Sequence, residues 1–155
     1  MPIVIAEHAL TLERILPVSR SNVWRCWTDP TLLVHWFCPK PWGVSEAVMD
    51  LRSGGRFFTH MVGPNGEQVP NDGVYLEVVQ DTKLVFTDAF QVGWVPAKPF
   101  MVGEITLQDT AEGHTHYTAR ALHWSAEDKA QHEAMGFHAG WGLATDQLLA
   151  LAQSL

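Results

Sequence analysis

The sequence predicts an α+β fold in which a curved antiparallel sheet packs against a long C-terminal helix. Three observations favour it. Residues 125–155 carry apolar side chains at steps of three and four, the spacing of one helix face. Residues 44–124 carry short runs of β-branched and aromatic residues between turn signals, which is typical of antiparallel hairpins. Helices set apart from consecutive strands indicate α+β order and not alternating α/β order.

Composition and charge limit the class of protein. The 155 residues are 46% apolar and include seven Trp and seven Phe, so we expect one globular domain spanning residues 1–155. A net charge of −7 argues against a nucleic-acid partner, which requires clustered positive charge. The sequence contains neither a bilayer-length apolar segment nor a secretory signal pattern. We therefore expect a cytoplasmic protein that binds neither nucleic acid nor membrane.

The cysteines and histidines give no metal-site pattern. Two cysteines, Cys26 and Cys38, are too few for a disulfide scaffold, and we expect both to be buried and reduced. Of the eight histidines, His132 and His138 fall on different sides of a helix, without a third ligand at suitable spacing. The sequence predicts no metal and no cofactor.

The first 43 residues predict a strand followed by two short helices. The strand covers 11–18, and the helices cover about 21–28 and 30–37. They are separated at Asp29, because a residue that precedes a proline disfavours helical geometry.

The remaining chain predicts about six consecutive strands and the terminal helix. The strands cover 44–51, 56–62, 69–79, 83–90, 100–108 and 114–124, with an irregular loop at 91–99. Ser125, followed three residues later by Asp128, is typical of a helix N-cap. Gly136, Gly140 and Gly142 indicate a kink, close packing or open space beside this helix.

An ordered set of short motifs resembles one known group of proteins. The motifs run along almost the whole chain: Leu12-Glu13-Arg14, Val23-Trp24, Trp27-Thr28-Asp29-Pro30, Trp36, Pro39, Asp50-Leu51-Arg52-Ser53-Gly54-Gly55-Arg56-Phe57, Pro64-Asn65-Gly66, Gly73-Val74-Tyr75-Leu76-Glu77-Val78-Val79, Leu84-Val85-Phe86-Thr87, Gly140-Trp141 and Leu148-Leu149. With these motifs the chain resembles the Hsp90-ATPase-activator-homologue (AHSA1-like) group of the START/Bet v 1-like superfamily, also called SRPBCC. The resemblance implies a helix-grip fold, in which a bent sheet of about six to seven strands wraps the C-terminal helix. It also implies a cavity between sheet and helix, with two short helices closing one end.

Strand alternation then selects residues for the cavity wall. It places Tyr75, Glu77 and Val79 on one face of their strand, and Phe86, Asp88 and Phe90 on one face of theirs. Small residues such as Gly103, Ala119 and Ala121 would leave room for a ligand. The ligand-binding candidates are Met61, Tyr75, Phe86, Phe90, Trp94, Met101, Tyr117, His123, Phe137 and Trp141.

Three functions remain open at this point. The first is binding of a small apolar or aromatic molecule, with no catalytic residue. The second is an enzyme of the cyclase or dehydratase sort, which would need His123, Tyr75 and Asp88 to converge on one spot. The third is protein interaction, with Hsp90 as the less favoured partner because the resemblance is to the group and not to the co-chaperone itself. Trp94, in the irregular loop, could equally serve a homodimer contact.

Overall fold

A computed structural model describes residues 7–155. In this range the chain forms nine strands and four helices, seven of the strands lying in one sheet. The strands are β1 (Ala9–Leu16), β2 (Gly43–Met49), β3 (Arg56–Val62), β4 (Gln68–Val79), β5 (Lys83–Thr87), β6 (Phe90–Gln91), β7 (Val95–Pro96), β8 (Val102–Asp109) and β9 (Thr115–Leu122). The helices are α1 (Arg20–Thr28), α2 (Pro30–Leu33), α3 (Ala126–Ala134) and α4 (Phe137–Gln153). The predicted α+β class is confirmed.

The main sheet is antiparallel throughout and has the order β1-β9-β8-β5-β4-β3-β2. The N-terminal strand β1 forms one edge of the sheet and pairs with β9, with Leu16 opposite Thr115, whereas β2 forms the other edge. Register shifts occur in β2 between Val44 and Glu46 and in β4 between Tyr75 and Glu77. Such irregularities bend a strand and increase its twist. They therefore help the sheet to curve around the helix.

Strict alternation holds in β8 and β9. Along β9 the residues Tyr117, Ala119 and Ala121 are buried, and each is followed by a partly exposed neighbour. Along β8 the buried residues Ile105 and Leu107 alternate in the same way. These side chains form the inner face of the sheet, and for Tyr117, Ala119 and Ala121 the sequence predicted this.

Strict alternation was wrong for the outer half of β4. Glu77 and Val79 are exposed, and Val78 packs against the core instead. The register shift after Tyr75 is the cause, because one extra residue in a strand moves every later side chain to the other face. The predicted strand 83–90 also ends early, at Thr87, so Phe90 belongs to the small β6–β7 hairpin.

The two short helices are separated at Asp29, as predicted. Asp29 has extended backbone angles of φ −106° and ψ 116°, and its carboxylate accepts a hydrogen bond of 2.9 Å from the Thr31 N–H. It thus caps α2, which is shorter than predicted because it ends at Leu33. The following turns bury Trp36 against Trp27, with ring centroids 4.8 Å apart. This aromatic contact closes one end of the fold.

The single C-terminal helix expected over 125–155 is divided into α3 and α4. Gly136 between them has φ 99°, a left-handed conformation that residues with a Cβ rarely adopt, and it ends α3 there. The N-cap prediction is confirmed, since the Ser125 hydroxyl accepts a hydrogen bond of 3.1 Å from the Asp128 N–H. Helix α4 buries Phe137 and Leu148 on the face toward the sheet.

Gly103 does not leave open space, contrary to expectation. A Cβ at this position would lie 2.4 Å from the Phe86 ring. The Phe86 ring therefore occupies the space that a side chain at position 103 would need. Phe86 lies opposite Gly103 on the neighbouring strand β5 and belongs to the main hydrophobic core.

Candidate functional site

A cavity of about 680 Å³ lies between the inner face of the sheet, the turns after α2, and helices α3 and α4. Its floor comes from the sheet, and its cover comes from the first turns of α4. The sheet contributes Phe57, Thr59, Met61, Phe86 and Tyr117, and the helices contribute His132, Phe137, Gly140, Trp141, Ala144 and Thr145. Met135 and Phe100 also line it and are 67% and 38% exposed, so they stand at its rim.

Aromatic rings form two opposing walls. On the sheet side, Phe57 packs edge-on against Phe86 with 5.0 Å between ring centroids. On the helix side, Phe137 and Trp141 lie 4.5 Å apart. Such walls offer large apolar surfaces with preferred stacking geometries, and these suit a flat apolar guest.

Tyr117 lines the cavity, and its hydroxyl group is hydrogen-bonded inside the core. Its oxygen accepts a hydrogen bond of 3.2 Å from Nε1–H of Trp27, across the core. Burial raises the pKa of Tyr117 well above its usual value, although the bond from Trp27 opposes the shift. The phenol therefore stays neutral.

A pair of histidines stands beside the rim. His123, at the end of β9, places Nε2 2.8 Å from Nδ1 of His132 on α3. Both side chains are buried, with exposures of 8% and 7%. Burial, and secondarily the neighbouring His123, lower the pKa of His132 to about 4. His132 is thus a neutral polar group in an apolar wall, and its ring also packs against Phe100 at 4.8 Å.

The carboxylates of Asp72 and Asp88, at the edge of the cavity, already accept hydrogen bonds from other groups of the protein. Asp88 Oδ1 accepts the backbone N–H of Phe100 at 2.8 Å and that of Met101 at 3.3 Å. Asp72 accepts two hydrogen bonds from Arg56, of 3.0 and 3.1 Å. Asp88 therefore anchors the segment before β8, and Asp72 ties β4 to β3.

Comparison with known families gives one match that spans most of the chain. The family described as Activator of Hsp90 ATPase homolog 1-like protein matches residues 17–153. The chain belongs to this family. The resemblance predicted from the sequence motifs is confirmed, and the fold is the one expected for the Bet v 1-like superfamily.

Solved structures include relatives of similar length. Protein NE0264 from Nitrosomonas europaea is 44% identical, with a TM-score of 0.93 and 97% of each chain covered. Protein Ms6760 from Mycobacterium smegmatis is 25% identical, with a TM-score of 0.79 and 99% of each chain covered. An AHSA1-like protein from Aeromonas hydrophila shares the fold at 20% identity, with a TM-score of 0.71 and coverage of 94% of this chain and 92% of its own. Comparison with curated proteins gives no significant match.

Within residues 7–155, no helix combines the length and apolar character needed to cross a membrane. The same residues hold no cluster of three or more His, Cys, Asp or Glu side chains arranged to bind a metal ion. Cys26 and Cys38 are buried free thiols, and burial raises the pKa of each to about 11.

The fold brings six of the ten candidate residues of this AHSA1-like protein to the cavity wall. They are Met61, Phe86, Met101, Tyr117, Phe137 and Trp141. The other four lie elsewhere. Tyr75 is buried behind Phe57, on which it stacks at 5.0 Å. Phe90 and Trp94 contact each other at 5.8 Å in the β6–β7 hairpin, and His123 is separated from the cavity by His132.

Sequence reasoning missed several wall residues, most importantly His132. The sequence held one signal for it. Ser125 caps α3 directly after β9, so the chain changes direction there. A residue about two turns into α3, such as His132, can therefore contact His123 at the end of β9. Phe57 and Trp36 were also missed as wall residues, although both belong to apolar patterns of their elements.

Proposed function

We propose that the protein binds a small, mainly apolar or aromatic molecule in the cavity between the sheet and α4. The observation that carries this proposal is a cavity of about 680 Å³ whose wall is largely aromatic with few polar groups. Ligand pockets typically have volumes of about 300–1,000 Å³ and this kind of lining. The chain would act as a single START/SRPBCC-like domain without a catalytic residue.

The ligand would contact both walls of the cavity. The six candidates at the wall are the proposed contacts, joined by Trp36, Phe57 and His132. Tyr75 and His123 would support this layer from behind, since each packs against one of its members.

Binding is preferred to the cyclase or dehydratase alternative because the acid-base candidates do not meet. Asp88 is engaged by two backbone N–H groups, Tyr75 lies behind Phe57, and His123 faces His132. General acid-base catalysis needs such groups within reach of one reacting atom.

A protein partner, whether Hsp90 or a second copy, would use another surface. Val92, Trp94 and Val95 in and beside the β6–β7 hairpin are 53%, 50% and 54% exposed. Variants that fill the cavity would leave such an interaction intact, so the same variants separate the two functions.

Filling the cavity from α4 is expected to block binding. Gly140 lines the cavity, and a Cβ there would meet only Pro39 Cγ, at 3.9 Å, an ordinary contact. The variant Gly140→Phe should therefore fold, since Gly is also a poor helix former. We expect it to weaken binding of the neutral fluorescent probe 1-aminoanthracene at least about tenfold, because the added ring occupies ligand space. Titration followed by probe fluorescence measures this.

The neighbouring residue provides a matched control. Ala139 is exposed on the same turn of α4, so Ala139→Phe adds the same side chain outside the cavity. We expect its probe affinity to stay within about twofold of the original protein. Equal affinity of all three proteins, or no probe binding to the original protein, would contradict the proposed function.

A further inference from the structure

The proton positions in the histidine pair follow from one backbone carbonyl. The His8 oxygen accepts the backbone N–H of His123 at 2.9 Å and lies 3.0 Å from its side-chain Nδ1. A carbonyl oxygen can only accept, so Nδ1 of His123 carries the proton. The β1–β9 pairing, which sets His8 beside His123, thus selects the tautomer of His123.

The tautomer of His132 follows in turn. When both rings are neutral, Nε2 of His123 carries only a lone pair and must accept. Nδ1 of His132, at 2.8 Å, therefore donates to it. This leaves Nε2 of His132 without a hydrogen, and hence as a hydrogen-bond acceptor.

This acceptor lies on a residue of the cavity wall. His132 lines the cavity, and its Nδ1 is directed at His123, so Nε2 lies on the side of the ring away from that partner. Within residues 7–155, Nε2 of His132 makes no hydrogen bond. The rings packed on His132 are Phe137 at 5.3 Å, Trp141 at 6.1 Å and Phe100. A side chain that is 93% buried with an unpaired acceptor gains free energy when a donor arrives.

We propose that the ligand is an aromatic molecule bearing a hydroxyl group, which donates a hydrogen bond to Nε2 of His132. This inference rests on the proposed function and specifies its ligand. The aromatic part of the ligand packs between two walls. Phe137 and Trp141 form the wall on the helix side, and Phe57 and Phe86 form the wall on the sheet side. A cationic ligand is disfavoured because Asp72 and Asp88 are engaged by protein donors.

Two probes that differ only by a methyl group in place of the hydroxyl hydrogen test the inference. 2-Naphthol can donate from its hydroxyl group, whereas 2-methoxynaphthalene has the same rings and an oxygen that cannot donate. At about pH 7.5, above the usual pKa of histidine, we expect calorimetry to give about tenfold tighter binding of 2-naphthol. In His132→Phe, which keeps a ring but has no acceptor, the two affinities should become equal.

A control variant at an exposed histidine shows whether the preference for 2-naphthol depends on His132. His138 is exposed on α4 and pairs with Glu133, so His138→Phe should keep the preference for 2-naphthol. Equal binding of both probes to the original protein would overturn the inference and leave the proposed function standing. Binding of neither probe would overturn both.

If His132→Phe does not fold, the protonation of His132 can be measured directly in the original protein by NMR. Two-bond ¹H–¹⁵N spectra of ¹⁵N-labelled protein distinguish the two nitrogens of each imidazole. We expect a protonated Nδ1 and a bare Nε2 for His132 at the same pH. A proton on Nε2 of His132 would overturn the inference, since that atom would then donate.

Discussion

Replacing Gly73 with alanine should destabilise the protein by about 3 kcal/mol, the upper end of typical overpacking costs. A Cβ at Gly73 would lie 2.1 Å from the backbone oxygen of Thr87 and 3.1 Å from Cα of Asp88. Both contacts are with backbone atoms, which cannot rotate away. The strands β4 and β5 would have to separate where Val74 pairs with Thr87.

The neighbours of Gly73 cannot move cheaply, because they are tied to the cavity rim. The Thr87 hydroxyl donates to the Met101 carbonyl at 3.0 Å and accepts the Ala89 N–H at 3.1 Å. Asp88 holds two further backbone N–H groups. Moving this segment would break several hydrogen bonds that fix the loop before β8, so the cost should appear as lost stability.

Urea denaturation followed by circular dichroism measures the loss. Gly43→Ala is the control, since Gly43 also lies in a strand but a Cβ there would have no atom within 4 Å. We expect the control to change the free energy of unfolding by less than about 0.5 kcal/mol. If both variants unfold at the same urea concentration, the steric account of Gly73 is wrong.

The parts of the fold that the sequence predicted well depend on local patterns. In β8 and β9 every second side chain is buried, and the adjacent strands pair without a shift, so alternation alone located Tyr117. The N-cap at Ser125 is equally local, because its side chain accepts a hydrogen bond from an N–H three residues away. The break between the two short helices at Asp29 is also local, since it follows from the next residue, a proline. Such features need no knowledge of distant contacts.

The parts that were predicted wrongly depend on partners far along the chain. The register shift in β4 after Tyr75 is defined only against β5, so the sequence of β4 alone does not reveal that Glu77 turns outward. Three glycines were equal candidates for a kink in the last helix. Only Gly136 adopts positive φ, whereas Gly140 and Gly142 stay helical.

The histidine pair is the main site feature that sequence reasoning could not assemble. His123 was selected by alternation, but its partner depends on the angle at which α3 leaves the sheet. That angle is set by the turn at Ser125 and by the end of α3 at Gly136. The result is one polar contact inside an otherwise aromatic region, and it has a consequence for stability that can be measured.

The protein should lose about 3 kcal/mol of stability through His132 alone when the pH falls from 6.5 to about 4. The pKa of His132 is about 4 in the folded protein, against 6.5 for an unperturbed histidine. Between these values the unfolded chain binds a proton that the folded chain does not, so acid favours unfolding. The gap between the two pKa values sets the magnitude.

The cause of this shift is structural and can be removed. The rings packed against His132 are the apolar rings of Phe100, Phe137 and Trp141 and the imidazole of His123. A charged His132 would thus be desolvated and would face a second imidazole instead of a carboxylate. In His132→Gln the group no longer titrates, so we expect the variant to lose less stability than the original protein over the same pH range.

Urea denaturation of both proteins at several pH values gives the difference directly. Carboxylates titrate in the same range, but they contribute equally to the two proteins and cancel in the comparison. Ala139→Gln is the control, because it adds the same side chain at an exposed position of α4 and removes no titratable group, so we expect it to keep the pH dependence of the original protein. Parallel pH curves for the original protein and His132→Gln would mean that His132 protonates as easily in the folded protein as in the unfolded chain. In that case desolvation in the apolar wall would not oppose the charged form of His132, and the structural cause given for its pKa would be wrong.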